Sequence, residues 1–444
     1  MTTDAPEKEV RVGEAGEAGV AGTPAPQRSR RLRTRTHRRP VRRFMIVTHR
    51  WTSLLLGLVL LLITTSGALL LYRPELAHVL NAAAYSPSGG PATVSFSRAF
   101  ETVREAHPDF APTGVVAESG ILKVHNADYE DFWTVDPSTG AILGHVEKTP
   151  TAIAWLDNLH ECFLSCEGMP GFVSALNAEV PGTGWLGFDG SAVTYGSLVL
   201  GILGLLLLYL SLTGLWLWFP RPRRWRSSMT VRWKRGRFAR DTDLHKVAGM
   251  VAIPLLLVWA ITGAGFELEP VQKAWYALTP GSPVPERPDP VSVESKQPDI
   301  GIDAAVAAAQ RVSPGDPVVS VDLPAADDPT GVYYIWLSAG FDPYGRMEYP
   351  GDRGVVVERH TAAATVVYGS SGESTAQVIW DSFNFPVHTG YIVNGWWRLI
   401  WLAFALSPLL LAITGLSTWL IRHRTSRNRK RAASRPAPDP VRSD

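Results

Sequence analysis

The chain has 444 residues, 45% hydrophobic and 19% charged, with a formal charge of +2. Those averages would suit a soluble protein, yet they conceal four uncharged apolar runs: Trp51 to Tyr72, Thr194 to Phe219, Val247 to Phe266 and Leu399 to Ile421, of 22, 26, 20 and 23 residues. Each is long enough, at about 1.5 Å per residue, to cross a hydrocarbon core of about 30 Å. The two cysteines, Cys162 and Cys166, are too few for a disulfide scaffold or a four-thiolate metal centre, and neither sits in the C-x-x-C-H pattern of covalent haem attachment. A soluble enzyme, a zinc-ribbon module and a c-type cytochrome therefore fit poorly.

Residues 1–43 read as a disordered basic tail. Nine arginines fall between Arg28 and Arg43. Beside an apolar span they read as a topology signal drawn to anionic lipid rather than as a nucleic-acid arm. The first span, 44–74, starts too far into the chain for a cleaved signal and is expected to be a permanent anchor. The remaining expected units are a first outer domain at 75–192, spans at 193–219, 245–269 and 396–421, a basic loop at 220–244, a second outer domain at 270–395 and a basic tail at 422–444. Of the 43 Lys and Arg, 30 lie in or beside the two tails and the 220–246 loop, against 9 of the 41 acidic residues. The net charge is thus +21 on that side and −19 in the two long connections. The positive-inside rule then puts both termini in the cytoplasm and both connections outside a cytoplasmic membrane.

Each connection is expected to be α+β. In the first, Ser95 to Glu105 reads as a helix and Gly120 to His125, Asp131 to Val135 and Ala141 to His145 as strands. The last two are joined by Asp136-Pro137-Ser138-Thr139-Gly140, with proline presetting φ and glycine open to positive φ. In the second, Asp303 to Val312 reads as a helix and Val318 to Leu323, Val332 to Leu337, Gly354 to Glu358 and Ala364 to Tyr368 as strands. Linkers are expected at Ser86 to Pro91 and Pro280 to Pro298.

Thr48-His49-Arg50 with Ser66-Gly67 recurs 196 residues later as Leu244-His245-Lys246 with Thr262-Gly263. Leu212-Thr213-Gly214-Leu215-Trp216 recurs 201 residues later as Ile413-Thr414-Gly415-Leu416-Ser417. The chain is therefore a tandem pseudo-repeat of helix, outer domain and helix. The duplication makes His49 and His245 equivalent at one membrane face and His160 and His388 equivalent at the other. Two such pairs suit two b-type haems with an imidazole on each face of the iron; the alternative is interfacial histidines with snorkelling tips. His78 competes with His160, whereas His107, His125, His145 and His360 read as surface residues. The glycine after each Ser or Thr serves either close helix packing or room for a flat macrocycle. Trp51, Trp216, Trp218, Trp396, Trp397 and Trp419 fit an interfacial belt, and Pro254 and Pro408 are expected to kink their spans. Cys162 and Cys166 are either a disulfide, if the chain there is a loop, or thiolates for a soft metal.

These motifs, together with Asp243-Leu244-His245-Lys246, Leu159-His160 and Val387-His388-Thr389-Gly390, resemble the PepSY-associated transmembrane family, which includes iron-regulated membrane proteins and haem-containing ferric-siderophore reductases. The resemblance covers about residues 44–422 and implies an α-helical membrane protein of four transmembrane helices with two extracytoplasmic PepSY-like domains. The second PepSY unit, around Val357-Glu358-Arg359-His360-Thr361-Ala362, lacks the Asp and Gly of the first. The resemblance also implies haem b, with His49 and His245 as inner and His160 and His388 as outer axial ligands of the haem iron, and electron delivery to a ferric siderophore or other ferric chelate. The segment Glu161 to Ser191 is an insertion relative to the family. No dinucleotide fingerprint is present, so electrons would come from a cytoplasmic partner or membrane quinol. A membrane-anchored PepSY regulator without redox activity is the alternative. No individual catalytic residue is assigned.

Overall fold

The computed structural model describes residues 40–433 apart from 128, 130, 148–150, 220–224, 282–289, 294, 345–348 and 370–373. The N-terminal tail up to residue 39, the centre of the Pro280 to Pro298 linker and the last eleven residues lie outside the described residues.

The chain opens with α1 (Pro40–Leu55) and α2 (Gly57–Leu70), followed by α3 (Arg73–Leu80) and α4 (Phe96–Ala106). Then come β1 (Gly114–Glu118), β2 (Ile121–His125), β3 (Phe132–Val135), β4 (Ile142–Val146) and α5 (Thr151–Cys162). A short α6 (Ser174–Asn177) leads to α7 (Tyr195–Trp218), α8 (Trp225–Ser228) and α9 (Arg237–Glu267). The second half repeats the order with α10 (Glu269–Leu278), α11 (Gly301–Val312), β5 (Val318–Asp322), β6 (Val332–Leu337), β7 (Arg353–Glu358) and β8 (Ala364–Tyr368). It ends with α12 (Thr375–Val378), a π-helical turn at Ile379–Phe383, α13 (Asn384–Thr389), α14 (Trp397–Ala405) and α15 (Ser407–Ala433).

Among the described residues, three helical stretches are long and apolar enough to cross a membrane: α7, α9 and Trp397–Arg429, which joins α14 and α15. The first expected span is a helix pair, α1 and α2, bent by 65° at Leu56. Pro254 leaves α9 one helix, and the fourth run breaks one residue before Ser407-Pro408. Among the expected kinks, Pro254 therefore does not interrupt its helix.

The two connections do not form separate sheets. They share one eight-stranded antiparallel sheet in the order β4-β3-β2-β1-β5-β6-β7-β8. Its centre is β1 against β5, pairing Gly114 with Asp322, Val115 with Val321 and Val116 with Ser320. The sequence reading contained no strand at β1, although the duplication requires a partner for β5. Helices α4 and α11 cover one face, where Ala99, Val103, Ala305, Ala308 and Ala309 pack on Val115, Val124, Val321, Ile335 and Val355. Each fully buried Val or Ile is worth about 1.5–3 kcal/mol relative to exposure. Ser95 caps α4 by accepting from the Arg98 N–H at 3.2 Å.

The turn between β3 and β4 is built as its residues suggest. The Asp136 carboxylate accepts from the Ser138 amide at 2.8 Å and its hydroxyl at 2.7 Å, holding the acid well below its usual range, and Gly140 has φ of 75°. In the second half Glu358 takes the same role, accepting from the His360 amide at 2.9 Å and the Thr361 hydroxyl at 2.6 Å. Ala362 must then enter the left-handed region at φ 57°, where the first half has glycine. A side chain there costs about 1–2 kcal/mol, partly offset by the backbone entropy glycine would lose. Ala362→Gly should stabilise the purified protein by about 0.5–1 kcal/mol and so raise its thermal unfolding midpoint. Gly140→Ala should lower it.

Candidate functional site

Each of the four helix-borne histidines singled out from the sequence meets one of the four Ser/Thr-Gly pairs. His49 on α1 lies against α7, with Nδ1 2.8 Å from Thr213 Oγ1. His245 on α9 lies against α15, with Nδ1 3.0 Å from the Leu411 carbonyl and 3.1 Å from Thr414 Oγ1. His160 on α5 lies against α2, with Nδ1 2.9 Å from the Ile63 carbonyl and 3.2 Å from Ser66 Oγ. His388 on α13 lies against α9, with Nδ1 2.7 Å from Thr262 Oγ1.

The hydroxyls decide the tautomer. Thr213, Thr262, Thr414 and Ser66 donate to the carbonyls of Tyr209, Val258, Leu410 and Ile63 at 2.7–2.8 Å, so each oxygen is left to accept. Each imidazole therefore donates from Nδ1 and carries its lone pair on Nε2, which has no hydrogen-bond partner among the described residues. Fixing one ring nitrogen in this way orients the other as a metal ligand.

The neighbouring glycines admit the rings. A Cβ at Gly214, Gly263 or Gly415 would stand 3.4–3.5 Å from Cε1 of His49, His388 or His245. One at Gly67 would collide with Cε1 of His160 and come within 2.8 Å of its Nε2. At Gly67 the missing side chain thus has a third role besides helix packing or macrocycle room, seating the imidazole edge, whereas at the other three a Cβ would make only an ordinary contact. The contact between Nδ1 and a helix hydroxyl marks all four, and the repeated Ser/Thr-Gly motif was its visible trace in the sequence.

The structure brings His160 and His388 together, with ring centroids 6.1 Å apart. Two imidazoles bound to one metal through bonds of about 2 Å place their centroids about 6 Å apart. Among the described residues no group of three or more His, Cys, Asp or Glu side chains is arranged to hold a metal ion. A metal held by either pair would have to bring its remaining donors with it. His78 instead stacks on Tyr85, with centroids 4.0 Å apart.

The segment after α5 is a loop, with Phe163 and Leu164 at φ of 49° and 65°, and Cys162 and Cys166 form a disulfide across a Cα separation of 5.6 Å. The insertion folds back on α5 through buried Asn158, whose amide donates to the Pro170 carbonyl at 3.1 Å and whose oxygen accepts from the Cys166 amide at 3.1 Å. Trp259 supports the other side, donating from Nε1 to the His388 carbonyl at 2.9 Å.

His125, read from the sequence as a surface residue, is 2% exposed. It lies under Tyr129, with centroids 4.1 Å apart, and 3.3 Å from Asp322, which also accepts from the Tyr129 hydroxyl at 2.8 Å. Burial and that carboxylate push the Tyr129 hydroxyl up, so it remains a donor. Gly114 makes room for the pair at the β1–β5 junction. Only the strand pairing reveals this cluster, because its members are nearly 200 residues apart.

The family of the PepSY-associated TM region matches residues 47–422. The chain belongs to that family. It is accordingly a membrane protein of the PepSY-associated class; no curated protein matches it. For this family member, Gly67→Ala should push the His160 ring off Ser66. In a 15N spectrum of histidine-labelled protein, one of four neutral Nδ1-protonated rings should then change. Gly57→Ala, whose Cβ meets nothing within 4 Å, should leave all four in place.

Proposed function

We propose that the protein is a transmembrane di-haem b electron-transfer protein that reduces a ferric siderophore or another ferric chelate. In this reading it lies in the cytoplasmic membrane with the sheet outside and both termini in the cytoplasm. The bent pair α1–α2 counts as one of four spans, and the two halves of the sheet are the two PepSY units. The observation that carries the proposal is the repeated contact in which a helix hydroxyl holds Nδ1–H and leaves Nε2 open, at four histidines related in two pairs.

His49 and His245 would hold the inner haem and His160 and His388 the outer one. A haem held by two imidazoles would supply a one-electron iron couple suited to electron transfer rather than oxygen chemistry. Thr213 and Thr414 orient the inner pair, and Ser66 and Thr262 the outer pair, while Gly67 sets how closely the His160 ring approaches its helix. The sites stand near opposite faces of a core about 30 Å thick, so each divides a gap too long for one step. Basic residues beside the spans support the orientation, because their excess on the side of the termini and the 220–246 loop is the usual cytoplasmic pattern. The electron donor would be a cytoplasmic partner protein or quinol, and the basic loop offers an acidic partner a surface.

Purified protein should show a reducible Soret band with about two haems, as the two ligand pairs require. His245→Ala and His388→Ala should each remove about one of them. A colourless protein would favour the regulatory reading. In liposomes, reductant on the His49 side should reduce an impermeant ferric chelate on the other, and a His160→Ala/His388→Ala variant should not exceed protein-free vesicles. A reporter after Asp444 should be active only in the cytoplasm; activity outside would reverse the orientation.

A further inference from the structure

A buried N–H donor without an acceptor is costly, and in a native structure it points to something that satisfies it. The arginine and tryptophan nitrogens left in this way within the helical bundle fall into two groups. One holds Arg398 Nε and Trp401 Nε1, with the hydroxyl of Tyr72 and Oε2 of Glu75; the other holds Arg50 Nε and Trp218 Nε1.

Both groups are close along the chain to residues of the histidine sites. Arg398, on α14, is 1% exposed; it donates to the Glu75 carboxylate and the Leu71 carbonyl, and its guanidinium carbon lies 4.9 Å from the Tyr72 ring and 5.3 Å from the Tyr391 ring. Trp401 stands one turn along α14, where a Cβ on Gly390 would come 2.6 Å from its ring. Gly390 is two residues from His388, and Leu71 is one turn from Gly67, which seats His160. At the opposite pair, Arg50 follows His49 and Trp218 lies four residues beyond Gly214, which lies beside His49.

Guanidinium, indole and phenol are all donors, and an arginine fork fits a carboxylate. Glu75 already displays that fit at Arg398. The cofactor proposed above carries two carboxylates on one edge of an apolar ring, and charged groups in a bilayer are driven toward its polar ends. One arginine–tryptophan set stands by each histidine pair, in the first residues of α14 and within α1 beside its histidine.

Resting on the di-haem reading, we propose that Arg398 with Tyr72 and Trp401, and Arg50 with Trp218, bind the propionate carboxylates of the haems held by the neighbouring imidazole pairs. They are positioning residues: they orient each macrocycle and balance its charge. Glu75, with 39% of its side chain exposed, yields part of its claim on Arg398 to the incoming carboxylate.

The test loads membranes containing the full chain, made under haem limitation, with haem b or with its dimethyl ester, in which both carboxylates are capped. A His245→Ala background isolates the His160/His388 site and a His388→Ala background the other. The site should retain haem at least about tenfold better than the ester, the scale of one charge-assisted hydrogen bond. Arg398→Leu should abolish that preference at the His160/His388 site and lower the midpoint potential of its haem, because an uncompensated carboxylate favours the ferric state. Arg50→Leu should do the same at the other site. Tyr72→Phe, which deletes only a hydroxyl, and Trp401→Phe, which deletes a donor and shrinks the ring, should reduce the preference and keep the inference testable if Arg398→Leu does not fold. Equal retention of haem and ester by the unsubstituted site would overturn this inference and leave the di-haem reading intact. Failure to take up either would overturn both.

Discussion

The bundle depends on one local arrangement, a helix hydroxyl that donates to its own backbone and accepts from an imidazole. In lipid there is no hydrophobic drive between helices, so small residues and interhelical hydrogen bonds decide where they meet. Ser66-Gly67, Thr213-Gly214, Thr262-Gly263 and Thr414-Gly415 supply both at once. They join α5 to α2, α1 to α7, α13 to α9 and α9 to α15. Helix α9 takes part twice, giving His245 near its start and receiving His388 at Thr262 near its end. A shift of α9 along its axis would therefore disturb both pairs.

The sheet completes what the helices begin. Helices α5 and α13 each follow the last strand of one half, and the β1–β5 pairing makes those halves one body. The 6.1 Å approach of His160 and His388 thus depends on a strand register set far from either ring. Gly114, seated over His125 and Asp322, is part of that register because a side chain there would meet both.

Three of the spans and the strands of the second half were legible in the sequence because each rests on periodicity or repetition. The single sheet was not, since β1 is a short run, Gly114–Glu118, whose partner lies about 200 residues away. The bend at Leu56 was hidden inside an unbroken apolar run, and the pairing of His125 with Asp322 has no local signal. Glu358 and Ala362 show the reverse case. The residues depart from the Asp and Gly of the first half, yet the turn is kept, because any carboxylate of suitable reach can collect the turn amides and alanine tolerates positive φ at a modest cost.

The bland account of the four histidines, polar tips reaching for the membrane surface, makes a specific demand on geometry. A snorkelling ring turns its nitrogens toward water and packs its carbon edge wherever space allows. Here each ring does the opposite with Nδ1, which is turned onto a facing helix and bound to a hydroxyl whose own proton is already committed. That commitment selects one tautomer, and the same tautomer at all four positions. Interfacial solvation has no need of such selection, because water accepts from or donates to either nitrogen. A ligand does need it: a bond to Nε2 requires a lone pair there, held in a fixed direction. At Gly67 the missing side chain follows from the same requirement, since a ring held at its Nδ1 edge brings Cε1 against the helix where a Cβ would otherwise stand.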